Sequence, residues 1–223
     1  MQNIEGKFIV LDGIDFCGKG TQAGMLAKYL MNHPLDQDLK LIHVLHTREP
    51  SNSPYTLEIR KTLQSELDPS AKKQQLTELF VKDRQYHLDH VVLPALKAGV
   101  WVVCDRYMYS TLAYQGAQGI DEDYLLKIHK RMRVPDVAFL IDVSGEESLA
   151  RKARKQDRRP DEMFDQLDFQ ELLRRKYLGL RELLPEHPLQ VFDGVRPIQD
   201  IAQEIRGIVD GLVSEAYARV RGR

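Results

Sequence analysis

The sequence predicts an α/β fold of three layers, with a five-stranded parallel sheet between helices, in a single domain spanning residues 1–223. Three observations point there. Five apolar runs of strand length alternate with helical patterns, the order that builds parallel sheets with right-handed crossovers. The runs are near-continuously apolar rather than alternating, as strands covered on both faces are. The first run leads directly into a glycine-punctuated turn with a lysine, and then into a helical stretch.

Lys7 to Asp12 is the first expected strand, and Thr21 to Met31 the helix after the turn. Leu39 to His46 reads as the second strand. Tyr55 to Gln64 reads as a helix, with Pro54 ahead of it as a first-turn residue. Ala71 to Ala98 reads as one long helix with a kink near Pro94. Val100 to Asp105 is the third strand. Asp121 to Met132 opens with acidic residues that suit a helix N-terminus. Asp136 to Val143 and Leu189 to Phe192 complete the strands, and Glu146 to Lys155, Leu167 to Leu184 and Ile198 to Val220 the helices. The least structured stretches are expected at His33 to Asp38, Ser51 to Ser53 and Gln156 to Asp165.

Composition narrows the classes of function. The chain has 223 residues, 43% hydrophobic and 29% charged, enough for one sizeable core and short for two. A formal net charge of −1 leaves no overall basic footprint for a nucleic acid polymer, so anion binding must come from local clusters. Two cysteines, Cys17 and Cys104, form neither a metal motif nor a disulfide framework and suit a reducing compartment. No signal-like segment opens the chain and no run reaches membrane-spanning length, so a cytoplasmic protein without a membrane partner is expected.

Chemistry concentrates in Gly13-Ile-Asp-Phe-Cys-Gly-Lys-Gly-Thr21, which meets the phosphate-loop pattern G-x-x-x-x-G-K. Glycines let the backbone N–H groups turn inward, the helix N-terminus adds partial positive charge, and Lys19 adds a full one. Gly20 stands where Ser or Thr usually follows, with Thr21 one place later. Cys17, beside a helix N-terminus, is expected to have a lowered thiol pKa.

Asp12, Asp105 and Thr47-Arg48-Glu49 stand at strand ends, where ligands of open parallel sheets bind. Asp105 could orient water on Mg²⁺, and Arg106 could grip a phosphoryl group; the two could also pair with each other. The basic stretch Arg151, Lys152, Arg154, Lys155, Arg158 and Arg159 reads either as a solvated face or as a lid over a polyphosphate, spanning about residues 151–165. Phe80 and Arg84 share one helical face; such a pair is more often core and ion pair, and otherwise a ring that stacks a base beside a guanidinium that holds its monophosphate. Ser110, Thr111, Tyr114 and Gln115 follow Arg106 at helical spacing as a polar surface.

Together these segments resemble the thymidylate kinase family, in order and at similar spacing. The resemblance rests on the phosphate loop, Thr47-Arg-Glu-Pro50, Phe80 with Arg84, Asp105-Arg-Tyr107 and Ser110-Thr-Leu-Ala-Tyr-Gln-Gly116, and continues through Tyr177-Leu178. It implies a P-loop NTPase fold with a basic lid, and transfer of the γ-phosphoryl group of ATP to dTMP with Mg²⁺. Carried over, Gly13, Ile14, Asp15, Phe16, Cys17, Gly18, Lys19, Gly20 and Thr21 would cradle ATP, assisted by Arg154 and Arg159. Asp15 would meet the acceptor 3′-hydroxyl. Phe80 would stack on thymine, with Arg84 and Gln115 at the base. Arg48 and Arg106 would hold the acceptor phosphate, near Ser110 and Tyr114. Asp105 would organise the metal through water. The phosphate loop carries Phe16 and Cys17 where some members place an arginine, so the lid is expected to supply the transition-state arginine, Arg158. The resemblance also implies a homodimer; Tyr86, His87, Val91 and Val92 are candidates for its face and equally for the core.

The departures are Gly20 and Ser51-Asn52, the latter where the family often has two glycines. Two other functions share the fold: a kinase for another nucleoside monophosphate or a deoxynucleoside, and a non-catalytic nucleotide-binding protein. The arginine set at Arg48, Arg84 and Arg106 favours an acceptor that already carries phosphate.

Overall fold

The computed structural model describes residues 6–34, 42–63, 69–155 and 166–221. Its sheet has five strands in the order β2-β3-β1-β4-β5, every pair parallel. The strands are β1 (Phe8–Asp12), β2 (His43–Arg48), β3 (Val100–Asp105), β4 (Val137–Asp142) and β5 (Leu189–Asp193). Phe8, Ile9, Val10 and Leu11 have no exposed surface, because β1 is flanked by β3 and β4 and covered on both faces. Its apolar run is the sequence trace of that position.

The helices are α1 (Lys19–Met31), α2 (Thr56–Leu63), α3 (Pro69–His87), α4 (Leu93–Lys97), α5 (Met108–Ala117), α6 (Glu122–His129), α7 (Gly145–Arg154), α8 (Leu167–Leu183) and α9 (Ile198–Arg221). α1 packs with α9, and α3, α5 and α8 pack in succession. The chain leaves β1 toward the β2 edge and later crosses back for β4 and β5. The carboxyl end of β1 therefore sits where the strand order reverses, the usual place for a ligand crevice.

Four expectations about the elements need correction. β2 lies two to four residues later than the apolar run, at His43–Arg48, and has only exposed and half-buried residues because it is an edge strand. The long helix is not uniformly α-helical over Ala71 to Ala98. Instead α3 passes into a π-helical turn, Leu88–Val92, directly before Pro94, and α4 (Leu93–Lys97) continues from it. Ser51 and Ser53 are buried and held by Asp83 rather than loosely structured. His87 and Val92 are buried inside this chain, so they are unsuited to a dimer face, while Tyr86 stacks on His90 at the surface.

Candidate active site

Two strand ends and the loop after β1 form the centre of the site. Gly13 has φ 142° and packs so tightly that a Cβ there would lie 2.5 Å from Ile141 O. Gly18, at φ 104°, caps α1. Two non-glycine residues also adopt the left-handed region, Phe16 at φ 57° and Arg106 at φ 73°. Such backbone strain clusters at ligand sites, where the surrounding structure holds it in place. Lys19 is buried and crosses the loop, donating to Ile14 O at 3.0 Å.

Asp12 and Asp105 look alike in sequence, but their surroundings separate them. Asp12 is fully buried and accepts five hydrogen bonds. Gly13 N, Ser110 Oγ and Tyr177 OH donate to Oδ1 at 2.9, 2.7 and 2.9 Å. Tyr107 N and Ser110 N each donate to Oδ2 at 3.0 Å. The carboxylate thus ties the phosphate loop to the first turn of α5 and to α8. Asp105 instead keeps a buried Oδ1 with no hydrogen-bond partner among the described residues. Its Oδ2 approaches Gly20: a Cβ on that glycine would lie only 2.9 Å away. A serine at position 20 would push the carboxylate aside, so Gly20 and Asp105 belong together sterically.

Asp15 lies in the same cleft. Arg106 Nη2 donates to its Oδ1, Tyr114 OH donates to Oδ2 at 3.0 Å, and Lys19 Nζ stands 3.9 Å from Oδ1. Arg106 also donates to Ser110 Oγ at 3.0 Å and lies 5.5 Å from the Tyr114 ring centre. Burial opposes the Arg106 charge, but Asp15, Tyr114, Tyr177 and Asp12 outweigh it, and its pKa rises well above the arginine value. Burial, followed by the Asp15 charge, likewise raises Tyr114, so it remains a neutral donor. Arg48 is exposed at the end of β2, in register with Asp105.

Arg84 occupies a buried pocket beside this cleft. It donates from Nε to Glu49 Oε2 at 2.7 Å, from Nη1 to Thr111 Oγ1 at 3.0 Å and His129 Nε2 at 2.9 Å, and from Nη2 to Tyr107 O at 3.0 Å. Phe80, one helical turn earlier, is half-buried. Gln115 is buried and its amide donates to Gln118 Oε1 at 3.3 Å. Glu49, His87 and Cys104 each bring a potential metal ligand within 4.8 Å of the others. Their own hydrogen bonds account for the cluster: His87 Nδ1 to Glu49 Oε1 at 3.1 Å, and Cys104 Sγ to Arg106 O at 3.1 Å.

α7 starts at the cap Ser144, whose hydroxyl accepts from Glu147 N at 3.1 Å, and it carries the first part of the basic stretch. Arg151 is not part of a flap. It donates to Cys17 O at 3.0 Å and Gly194 O at 2.8 Å, clasping the phosphate loop to the turn after β5. Arg154 is exposed and pairs with Glu147 at 3.4 Å. Arg158 and Arg159 lie outside the described residues, as does most of the expected lid. Cys17 corrects another expectation: burial raises its thiol pKa and outweighs the lowering effects of Lys19 and Arg106.

Lys19, Asp15, Arg106, Ser110 and Tyr114 thus meet in one cleft, with Asp105 against Gly20 at its edge. The structural residues around them, Asp12, Glu49, His129, Arg151 and Tyr177, were not assigned these roles from sequence. Most of the partners that define these roles lie tens of residues away, so local spacing carried little signal.

A strand–loop–helix phosphate cradle at the reversal point of a parallel sheet, faced by an arginine and two carboxylates, defines a nucleotide-binding phosphotransferase of the P-loop class. The thymidylate kinase family model matches residues 11–205, and the chain belongs to the thymidylate kinase family. It is 37% identical to a probable thymidylate kinase of Pyrococcus horikoshii, over 92% of this chain and 97% of that protein. The probable thymidylate kinase of Thermococcus kodakarensis is 34% identical, over 93% of this chain and 99% of that protein. A thymidylate kinase of Synechococcus sp. is 34% identical, over 99% of this chain and the whole of that protein.

Proposed function

We propose that this protein is an ATP:dTMP phosphotransferase: a phosphate oxygen of dTMP attacks the γ-phosphorus of ATP, the bond to the β-phosphate bridging oxygen breaks, and dTDP and ADP leave. The observation that carries this reading is the contact of both Lys19 and Arg106 with Asp15, which brings the cation of the phosphate loop and that of the strand-end arginine to one carboxylate. Such chemistry asks mainly for alignment and charge neutralisation, not for a covalent intermediate.

In this reading residues 13–21 hold the donor phosphates, with Lys19 on the β/γ oxygens. Arg106 and Arg48 hold the acceptor phosphate, and Asp15 receives the sugar hydroxyl between Tyr114 and Arg106. Ser110 keeps Arg106 in place through the 3.0 Å hydrogen bond. Phe80 stacks on the base, and Arg84 and Gln115 approach its edge. Arg154 and Arg159 would assist in binding ATP. Arg158 neutralises charge on the transferring group.

Mg²⁺ fits the residues present: Asp105 Oδ1 is a buried carboxylate oxygen without a partner among the described residues, and its Oδ2 lies next to Gly20, a position that has no side chain. When bound, the ion neutralises charge on the donor phosphates; Asp105 would hold it through water. The reading also includes a homodimer and a cytoplasmic location. No helix among the described residues is long and apolar enough to cross a membrane.

A coupled ADP-release assay with ATP, Mg²⁺ and each nucleoside monophosphate in turn tests the function. Turnover should be highest with dTMP; ATP binding without transfer to any acceptor would refute it. Arg158→Ala should lower kcat by orders of magnitude at nearly unchanged dTMP affinity, and unchanged turnover would remove Arg158 from its role.

A further inference from the structure

Arg84 is held from four directions. Glu49 comes from the loop after β2, Tyr107 and Thr111 from the start and body of α5, and His129 from the last turn of α6. A guanidinium has five N–H groups in one plane. The four hydrogen bonds use Nε, both N–H groups of Nη1 and one of Nη2, which leaves a single Nη2 N–H for a ligand.

The His129 end of this arrangement is determined by its own hydrogen bonds. Its Nδ1 lies 2.7 Å from Leu125 O, and a carbonyl can only accept, so Nδ1 carries the proton. In a neutral imidazole Nε2 is then a lone pair, which suits the Arg84 Nη1 donor 2.9 Å away. A protonated ring would set N–H against N–H and cation against cation. Burial and the Arg84 charge push the His129 pKa down to about 3, which agrees with that tautomer. Glu49 is aligned in turn: His87 Nδ1 donates to its other oxygen, and Thr47 Oγ1 lies 2.9 Å from His87 Nε2. Neighbouring Asp83 anchors Ser51 and Ser53, so consecutive residues of α3 hold the whole loop after β2.

We propose that His129 is a positioning residue for acceptor-base selection: as a neutral acceptor it fixes the guanidinium plane of Arg84, so that the remaining N–H meets a base carbonyl and not a base amino group. The proposal rests on the thymidylate kinase reading above. His129 touches no reacting atom. Without it one Nη1 N–H loses its partner, the guanidinium plane is held by three hydrogen bonds instead of four, and the directional difference between a carbonyl and an amino group on the base weakens.

The test is steady-state kinetics with dTMP and dCMP, which differ at this kind of position by a carbonyl against an amino group. His129→Leu keeps bulk and removes the acceptor. It should raise KM for dTMP about tenfold, the scale of one lost hydrogen bond to a charged group. The dTMP over dCMP preference should shrink by a similar factor, while KM for ATP and kcat stay within about threefold. His129→Gln, which offers an amide oxygen in the same region, should recover most of the preference. Should His129→Leu fail to fold, His129→Asn, too short to reach Arg84, must show the same split. Full base preference in the variant lacking the acceptor overturns the proposal, and so does a uniform loss in both substrates that His129→Gln does not repair. If the unaltered protein phosphorylates dCMP or purine monophosphates but not dTMP, the function reading fails first and the proposal falls with it.

Discussion

Gly20→Ala should separate turnover from stability. The added Cβ would stand 2.9 Å from Asp105 Oδ2, whereas ordinary contact begins at 3.4 Å, so the carboxylate must retreat by the difference, about 0.5 Å. A misplacement of about 1 Å in a positioned group can cost roughly a hundredfold in rate, which puts half of that near tenfold in kcat. The required Mg²⁺ concentration should rise too, because Asp105 carries the partnerless oxygen offered to the ion's water shell. Stability should barely move. Alanine gains about 0.5–1 kcal/mol over glycine in a helix, and the displaced carboxylate gives back a similar amount. The assay is ADP release at saturating substrates across a Mg²⁺ titration, paired with thermal melts. Gly207→Ala, in α9 with nothing within 4 Å of the new methyl, is the control. It should raise Tm by about 2–4 °C and leave kinetics unchanged. Wild-type kcat and Mg²⁺ dependence in Gly20→Ala would refute the steric coupling of Gly20 to Asp105.

Asp12→Asn should cost about 3–5 kcal/mol, since the amide leaves at least one backbone N–H facing a donor and removes charge assistance from five hydrogen bonds. Calorimetry should show Tm falling by about 6–20 °C, and a change under 2 °C would contradict the anchoring role. His129 makes stability fall in acid: its folded pKa is about 3 against an ordinary 6.5, so between these values the unfolded chain takes up a proton that the folded chain refuses. From pH 7 to 5 this amounts to about 2 kcal/mol, and His129→Gln should show a correspondingly shallower loss in urea titrations over that range; equal slopes would count against it. Cys17 and Cys104 are buried with raised thiol pKa values, so both should label slowly with a thiol reagent until denaturant is added. A fast native thiol protected by ATP would restore the reactive-cysteine expectation.

The sequence alone was enough for the sheet, the phosphate loop and the family. Apolar runs report burial on two faces, and the signals G-x-x-x-x-G-K and Asp-Arg-Tyr are local, so no distant partner is needed to read them. It also placed Lys19, Asp15, Arg106, Ser110 and Tyr114 as candidates, and folding gathers them into one cleft. What folding alone decided is which of several similar residues does what. Asp12 and Asp105 both end a strand, yet one is saturated by five donors and the other keeps an open oxygen. Arg151 and Arg154 sit on one basic helix, yet one clasps the phosphate loop and the other faces solvent. The Arg84–His129 contact joins residues 45 apart in sequence. Such assignments depend on which donors and acceptors the fold sets within 3 Å of each other and away from water, and no run of neighbouring residues encodes that distance.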